Sequence, residues 1–411
     1  MTKVTIRNVG PIANVEINLN KINIIAGPQS SGKSTVAKII SYCQWVEKRS
    51  ILDGKYNENV IKQLLGFHHL NNYFAENSFF EYESDFIIIN YRGSELKESI
   101  QFKNEIDVTH YERSKNIYIP SERNFVSSIS NLGKYNETND NIMSFLYDWY
   151  TAKKKFTKQN SLPILNLGIQ FYNNQASDSD MLILNDTQKE IFLRASSSGM
   201  QSITPLVLIV EYLTDKIFKE DHPFSMNEVE SIKDILNDIF ESKYVNARDK
   251  SQQISKETIE EETKNFFSAL EKRRRQYHRT HFIIEEPEQN LFPETQRDLI
   301  YYLFNKMTSE RQHSLLITTH SPYILYAINN CLMAGVVYGK MSETDKRRLD
   351  PNLIPFDPQE ISIYQLSEGK IHCIQQEDNL IGDNYFDSKM KDIMDDFYVM
   401  LNYYGNDNSE H

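Results

Sequence analysis

The chain has 411 residues, of which 40% are hydrophobic and 25% are charged, a composition that excludes a disordered or fibrous protein and leaves room for about two or three compact units. Lysine and arginine number 45 against 57 aspartate and glutamate residues, which gives a formal net charge of −12. A nucleic acid could therefore be bound only through a local basic patch.

The cysteines and the N-terminus predict a cytoplasmic protein. Cys43, Cys331 and Cys373 lie far apart and are odd in number, so neither a disulfide framework nor a zinc site is indicated. The first residues lack the apolar core of a signal peptide, and no stretch approaches the roughly 18 consecutive apolar residues that a membrane span needs. We expect no contact with a membrane.

Segment 1–46 predicts a hairpin followed by a phosphate-binding layout. Alternating apolar and polar residues on either side of a Gly10-Pro11 turn are typical of a half-buried hairpin. The apolar run 22–25 predicts a buried strand, and a helix is expected over 34–46. A strand, a glycine-containing loop and a helix in that order suit a phosphate site.

Residues 47–190 predict an insertion of mixed structure. A helix is expected near 58–75, a hairpin at 86–102 and a core strand at 117–120. The segment 138–190 shows no repeat, and we predict irregular to helical structure there within the same domain.

The second half predicts a charged helical arm followed by alternating strands and helices. The arm, 214–280, holds an apolar stripe for only a few turns and is too irregular for a long coiled coil. Segment 281–330 contains two apolar strands around a helix at 293–307, and 331–411 is expected to end in a hairpin and a helix. The alternation predicts an α/β fold with a central, mostly parallel sheet, an antiparallel β-subdomain and a helical insertion.

The strongest motif lies in the loop after the first buried strand. Residues 27–34, with the sequence GPQSSGKS, fit the pattern GxxxxGK[ST] between a strand and a helix. Backbone N–H groups of such a loop cradle phosphates, while Lys33 can reach the β and γ oxygens and Ser34 can ligate Mg²⁺. The alternative is a chance glycine-rich turn, which the flanking strand and helix disfavour. The predicted nucleotide-binding residues are Gly27, Pro28, Gln29, Ser30, Ser31, Gly32, Lys33, Ser34 and Thr35.

Two further elements follow apolar strands. The strand 282–284 ends in two carboxylates, of which Glu285 suits the magnesium shell and Glu286 suits a base that orients or deprotonates water. The strand 315–317 delivers His320 at the end where ligands bind in open α/β sheets, and this histidine could donate a hydrogen bond to the γ-phosphate. Taken alone, these residues would indicate a solvated strand edge and a core histidine.

The fourth element is the signature-like start of segment 191–213. Ser198, Gly199 and Gln201 open a predicted helix that continues over 203–213. Small residues at a free helix N-terminus form an anion site. By itself this sequence is an ordinary helix cap, and its functional interpretation depends on the other three elements.

With these four elements in this order, the sequence resembles an ABC-type ATPase of the group that includes the heads of structural-maintenance-of-chromosomes (SMC) and RecF-like proteins. It is more closely similar to the bacterial AAA-15/AAA-21 group, related to the ATPase of overcoming-lysogenisation-defect (OLD) proteins. Residues 198–201 take the place of the ABC signature, residues 285–286 the Walker B pair, and His320 the switch histidine. The run 286–293 is similar to the D-loop of that group, and 118–123 (YIPSER) to its Pro-x-Glu-Arg segment.

The resemblance implies a head-to-tail dimer that binds ATP and Mg²⁺. Ser198, Gly199 and Gln201 of one subunit would cap the ATP held by the P-loop of the other, so that binding closes the dimer and hydrolysis opens it. Catalysis would rest on the P-loop lysine together with Glu286 and His320. ATP would then act as a switch.

The sequence departs from the family pattern at three places. Met200 stands where transporters have glycine, and Glu285 stands where aspartate is commoner. The gap from Ser198 to Glu286 is 286 − 198 = 88 residues, longer than in transporter domains, and it contains the predicted arm. The glutamine that normally senses magnesium has no clear place.

The resemblance also predicts a partner. Stand-alone ATPases of this kind resemble sensor subunits of two-gene systems, so we expect a separately encoded effector and a role in defence against phage. The Toprim nuclease domain of OLD proteins is not expected, because only 411 − 320 = 91 residues follow His320 and they contain no DxD pair. The alternative function is a DNA-repair or DNA-clamping ATPase of RecF/SMC-like type, and a transporter's nucleotide-binding domain is a weaker alternative.

DNA binding would depend on one basic run at the end of the predicted arm. A helix C-terminus favours cations electrostatically, so a surface patch that satisfies the helix dipole is as well supported as a phosphate contact. The run consists of Lys272, Arg273, Arg274 and Arg275.

Overall fold

The computed structural model describes residues 2–53, 59–95, 97–103, 112–129, 140–220 and 276–404. The basic run 272–275 and most of the predicted arm 214–280 lie outside these residues. Within the described ranges, no helix combines the length and the apolar character that crossing a membrane requires. All three cysteines carry free thiols, two of them buried and one, Cys373, exposed.

The strands of the described residues form two sheets. Their bounds are β1 Thr2–Val9, β2 Ile12–Leu19, β3 Ile22–Ala26, β4 Phe74–Glu83, β5 Ile87–Arg92, β6 Lys97–Phe102, β7 Ser114–Ile119, β8 Leu162–Pro163, β9 Ile169–Asn174, β10 Ser179–Leu184, β11 Glu190–Phe192, β12 Arg279–Glu285, β13 Ser314–Thr319, β14 Ile361–Ser367 and β15 Lys370–Cys373. The large sheet has the order β6-β5-β4-β1-β2-β15-β14-β3-β13-β12-β7, and the small one the order β11-β10-β9-β8.

Helices cover both faces of the large sheet. Their bounds are α1 Lys33–Asp53, α2 Val60–His68, α3 Phe125–Ser128, α4 Asn141–Lys153, α5 Ser198–Thr214, α6 Pro293–Met307, α7 Pro322–Val337, α8 Glu343–Lys346 and α9 Tyr385–Leu401. The apolar side chains of α1 and α2 pack on one face of the sheet, and those of α4 to α7 pack on the other.

The centre of the large sheet is parallel. β14, β3, β13, β12 and β7 run in one direction, and every residue of β3 is buried, as expected of strands covered on both faces. Successive residues of β3 enter different cores, because Ile24 packs with α4 to α7 and Ile25 with α1 and α2. The carboxyl ends of these strands therefore meet at one edge, where a ligand can be bound.

The predicted α/β fold is confirmed. The antiparallel β-subdomain is also present, but its strands β4, β5 and β6 join β1 and β2 and so continue the large sheet. The predicted hairpins β1–β2, β5–β6 and β14–β15 are all antiparallel pairs.

Two predictions of local structure are confirmed only in part. The helix expected near 58–75 ends at His68, and residues 74–83 form β4, which buries Phe80 and Tyr82 against its neighbours. That strand is stabilised by its pairing with β1, a contact distant in sequence. The segment 138–190 contains α4 but also the small sheet. In that sheet, β10 contains a run of only four apolar residues, 181–184, and the edge strand β11 has only three residues. Runs this short cannot be told from helix segments by periodicity.

Candidate functional site

Three neighbouring parallel strands bring the predicted site residues together. β3 pairs with β13 and β13 pairs with β12, so that Ala26 lies opposite Thr319 and Thr318 lies opposite Glu285. The P-loop follows β3, the two glutamates end and follow β12, and His320 follows β13. The motifs that lie far apart in sequence therefore share one edge of the sheet.

The conformation of the P-loop explains its glycines. Gly27 has a φ of 148°, and a Cβ there would lie 2.1 Å from the carbonyl oxygen of Leu366. Gly32 has a φ of 103°, and its Cβ would meet the side chain of Ile12 at 2.9 Å. Both positions exclude other residues, because φ is positive and the space is already filled.

The remaining predicted residues of the loop differ in exposure. Gln29 and Ser30 are exposed at its tip, and Pro28 and Ser34 are partly buried. Ser31 and Thr35 are buried, and the Ser31 hydroxyl has no hydrogen-bond partner. A buried donor without a partner at this place is available to a ligand.

Lys33 is held inside its own loop. Its ammonium group donates hydrogen bonds to the carbonyl oxygens of Gly27, at 2.9 Å, and Pro28, at 2.7 Å. Burial lowers the pKa of Lys33, and the negative charges of three nearby glutamates partly offset this effect. The ammonium group can exchange these neutral acceptors for charged phosphate oxygens, which bind it more strongly.

Glu285 supplies a buried carboxylate at the end of β12. Its side chain is almost fully buried, and its Oε1 lacks a hydrogen-bond partner, as does the neighbouring hydroxyl of Tyr118. Burial raises the pKa of the Glu285 carboxyl, and interactions with Tyr118, Lys38 and Ser34 partly offset this. A buried carboxylate oxygen without a hydrogen-bond partner, in a side chain that interacts with Ser34, suits a hard cation such as Mg²⁺.

Glu286 and His320 form a half-buried ion pair. The distance from His320 Nδ1 to Glu286 Oε1 is 3.5 Å. Interaction with His320 lowers the pKa of Glu286, and interaction with Glu286 raises the pKa of His320. Glu286 also has a φ of +43°, in the left-handed region, a strained conformation of the kind found at functional sites.

Glu288 contacts the backbone and the same ring nitrogen of His320. Its buried Oε1 accepts hydrogen bonds from the Thr319 hydroxyl and from the backbone N–H of His320, both at 2.8 Å. The same oxygen lies 3.5 Å from His320 Nδ1. The histidine ring is therefore placed between two carboxylates, of which only Glu286 stays partly exposed.

Arg123 fixes the turn that carries both glutamates. Its guanidinium group is fully buried and donates to the carbonyl oxygens of Glu285 at 2.9 Å, Glu286 at 3.0 Å and Pro287 at 3.1 Å. Burial lowers the pKa of Arg123 to about 10, with the charges of the neighbouring glutamates opposing the shift. A planar fork of donors that brackets three successive carbonyl groups holds the backbone of this turn in one geometry.

The signature segment lies at the N-terminus of α5. Ser198 is exposed there, and the Ser197 side chain caps the helix by accepting from Met200 N–H. A Cβ at Gly199 would lie 2.9 Å from the carbonyl oxygen of Asn290, so the start of α5 lies against the D-loop.

Gln201 and α3 connect the signature segment to the Arg123 segment. The Gln201 side chain donates to the carbonyl oxygens of Arg194 and Ser196 and accepts from the Ser128 hydroxyl at 2.8 Å. Ser127 donates to the Gln201 carbonyl at 3.0 Å. In this arrangement the amide of Gln201 is used within its own chain, and it shapes the loop before the signature.

Two functional residues were not assigned a role from the sequence. Arg123 and Glu288 lie in segments that were identified only as similar to family motifs. The position of Arg123 could have been inferred from β7, the strand that precedes it. β7 pairs with β12 in parallel, so the last residues of both strands lie at the same edge of the sheet. Among the described residues, no cluster of three or more His, Cys, Asp or Glu side chains could hold a metal alone.

Comparisons with known proteins identify one family. Residues 3–289 match the family model of the AAA domain, and no curated protein matches the chain significantly. The solved structures that it resembles at low similarity include the SMC head domain from Thermotoga maritima, with 9% identity, a TM-score of 0.37 and coverage of 91% of this chain and 98% of that chain. The recombination mediator protein RecF has 11% identity, a TM-score of 0.31 and coverage of 90% and 97%. A dimeric ATP-binding cassette with ADP and Pi has 11% identity, a TM-score of 0.31 and coverage of 91% and 99%.

Proposed function

The chain belongs to the AAA domain family, and we propose that it is a magnesium-dependent ATPase in which ATP controls the closure of a head-to-tail dimer. The observation that carries the proposal is the convergence of Lys33, Glu285, Glu286 and His320 on one edge of the sheet. Phosphoryl transfer needs a lysine, a metal ligand, a base and a group that donates a hydrogen bond to the γ-phosphate, all within one site. This edge of the sheet supplies all four.

ATP would be bound by the P-loop backbone and the Lys33 ammonium group. The residues fit a magnesium ion as well, since Ser34 interacts with the Glu285 side chain and the buried Oε1 of Glu285 lacks a hydrogen-bond partner. These two side chains would hold the ion, and the bound ion would neutralise charge on the β and γ oxygens of ATP. Lys33 would exchange the carbonyl groups of Gly27 and Pro28 for phosphate oxygens.

Glu286 would act as the base toward the attacking water. Its lowered pKa keeps the carboxylate ionised at neutral pH, and its partly exposed side chain leaves the outer oxygen accessible to water. His320, with a raised pKa, would present its second ring nitrogen as a charged donor to the γ-phosphate. Arg123 and Glu288 would position this pair without touching the nucleotide.

The signature would act on the ATP of a second subunit. Ser198 is exposed at a helix N-terminus that lies against the D-loop, and such a terminus attracts anions. We propose that it contacts the γ-phosphate held by the partner's P-loop. Gln201 would contribute by shaping the loop before α5.

The regulatory part of the proposal is a sensor subunit that controls a separately encoded effector in defence against phage. Its support is the sequence resemblance to stand-alone ATPases of two-gene systems. The protein, purified from its own cells with ATP and Mg²⁺, should hold a second chain in a fixed ratio. A preparation that contains only this chain and DNA would instead favour the alternative function, a DNA-repair or DNA-clamping ATPase.

The test of the ATPase switch is the Glu286→Gln variant. This variant should retain bound ATP through gel filtration in the presence of Mg²⁺, because the closed dimer holds a nucleotide that it cannot hydrolyse. Lys33→Ala is the matched control, and it should retain no ATP. Normal phosphate release by Glu286→Gln would show that another group is the base.

A further inference from the structure

The C-terminal helix α9 exposes an apolar stripe. Met390 is 57% exposed, Ile393 65%, Phe397 51% and Met400 63%, and no residue of the helix is fully buried. An isolated helix of this length is only marginally stable in water, so the stripe needs a partner surface.

The spacing of the stripe specifies what that partner is. Its members, Phe386, Met390, Ile393, Phe397 and Met400, are separated by 4, 3, 4 and 3 residues. This is the repeat by which two α-helices interlock their side chains along a narrow seam. The occupant is therefore another helix, since a flat or irregular surface would not require this spacing.

The helix is anchored at its N-terminal end and free along the stripe. The Tyr326 hydroxyl on α7 donates to Asp387 at 3.1 Å, and Asn384 caps the helix. Beyond this anchor, the residues from Ser388 onward are exposed except for the partly buried Met394. A second helix can therefore lie along the stripe without displacing any part of the described chain.

The charges beside the stripe identify the partner as a second copy of this chain. Lys389 and Asp396 border the stripe on one side. Consider an antiparallel pair of α9 helices in which Met390 lies opposite Ile393 of the second copy. Lys389 of one copy then lies beside Asp396 of the other. The two-fold symmetry of the pair produces this ion pair twice. A parallel pair would place apolar residues opposite both charges. We propose that two copies of the chain associate through antiparallel α9 helices, independently of nucleotide.

The test is the native mass of the full chain without nucleotide at micromolar concentration. The wild-type protein should be a dimer, and Ile393→Asp with Phe397→Asp should be a monomer. These side chains are exposed in the single chain, so the substitution should not change its unfolding temperature. The matched control is Val399→Asp, which is 61% exposed on the opposite face and should leave the dimer intact. A monomeric wild type, or equal loss of the dimer in the control, would overturn the proposal.

A charge exchange tests the antiparallel arrangement. Lys389→Asp alone and Asp396→Lys alone each create like-charged contacts, so each should weaken dimerisation by about 2-fold to 5-fold at low salt. The double variant restores opposite charges and should return the dissociation constant to the wild-type value. Failure of the double variant to rescue the singles would contradict this pairing.

Discussion

Buried acidic side chains lie near both ends of β12, but their hydrogen bonding differs. At its amino end, a cleft of about 210 Å³ is lined by Glu47, Tyr82 and His281, among other residues. The Tyr82 hydroxyl donates to Glu47 at 2.6 Å, and burial lowers the pKa of His281 to about 3, so that its ring is neutral. At its carboxyl end, Oε1 of Glu285 has no partner and lies beside the P-loop.

The comparison teaches how to separate a structural acid from a functional one. Burial raises the pKa of both Glu47 and Glu285, so a shifted pKa does not distinguish them. The difference is hydrogen bonding, because Glu47 is satisfied by its own chain while Glu285 keeps a free acceptor. Substitutions at the carboxyl end should therefore change activity, and those at the amino end should change stability.

The largest expected effect is at Glu286. Glu286→Gln should lower kcat by about 10²-fold to 10⁴-fold, the usual contribution of a general base. The affinity for ATP should remain close to that of the wild type, because the P-loop is unchanged. Steady-state phosphate release together with equilibrium ATP binding measures both quantities, and a matching fall in affinity would point to a binding role for this residue.

Arg123 should give the next largest effect. Arg123→Lys keeps the charge but loses the fork that brackets three carbonyl groups. Because the catalytic turn would shift, kcat should fall by about 10-fold to 100-fold with little change in KM for ATP. A variant in which KM rises and kcat is kept would show that Arg123 supports binding and does not position Glu286.

The pH profile of kcat tests the Glu286–His320 pair. The pKa of His320 is raised and that of Glu286 is lowered, so the ion pair exists between these two values. Activity should decline as pH rises through the raised pKa of His320, where the imidazolium is lost, and at acidic pH as Glu286 is protonated. His320→Gln should remove the alkaline decline and move the acidic decline to higher pH. If the loss of activity at alkaline pH persists in this variant, then a group other than His320 causes that loss.

The smallest effect is expected at the amino end of β12. Tyr82→Phe removes the hydrogen bond to Glu47 and should lower the free energy of unfolding by about 1 kcal/mol, while kcat and KM stay at wild-type values. Urea denaturation and ATPase assays on the same preparation measure these quantities. A loss of activity without a loss of stability would place function at both ends of the strand.

The sequence predicted the parts of the site that are encoded locally. The P-loop, the two glutamates at the end of β12 and His320 are each carried by a short motif next to an apolar strand. The P-loop could be interpreted by itself, and its presence gave the glutamates and His320 their expected roles. Arg123 acts on backbone carbonyl groups more than 160 residues away. Such a contact depends on β7 pairing with β12, which local periodicity does not reveal.

In the fold, too, locally encoded strands were predicted, and strands that depend on distant pairing were not. The core strands β3, β12 and β13 were predicted because each contains two or three adjacent apolar residues, such as Ile24 and Ile25 in β3. β4 was not predicted as a strand, and its first two residues were included in the expected helix, because its structure depends on pairing with β1. The small sheet was missed because the apolar run 181–184 in β10 and the three residues of β11 are too short to be identified as strands by periodicity.

The central claim is that one subunit's signature completes the ATP site of another, and mixing two inactive variants tests it most directly. Lys33→Ala disables the P-loop, and Ser198→Arg blocks the exposed signature. An equal mixture should recover about a quarter of wild-type ATPase activity, because half of the randomly formed dimers contain one intact site made from both chains. If the site lies within a single chain, the mixture will remain as inactive as its components, and that result would contradict the account.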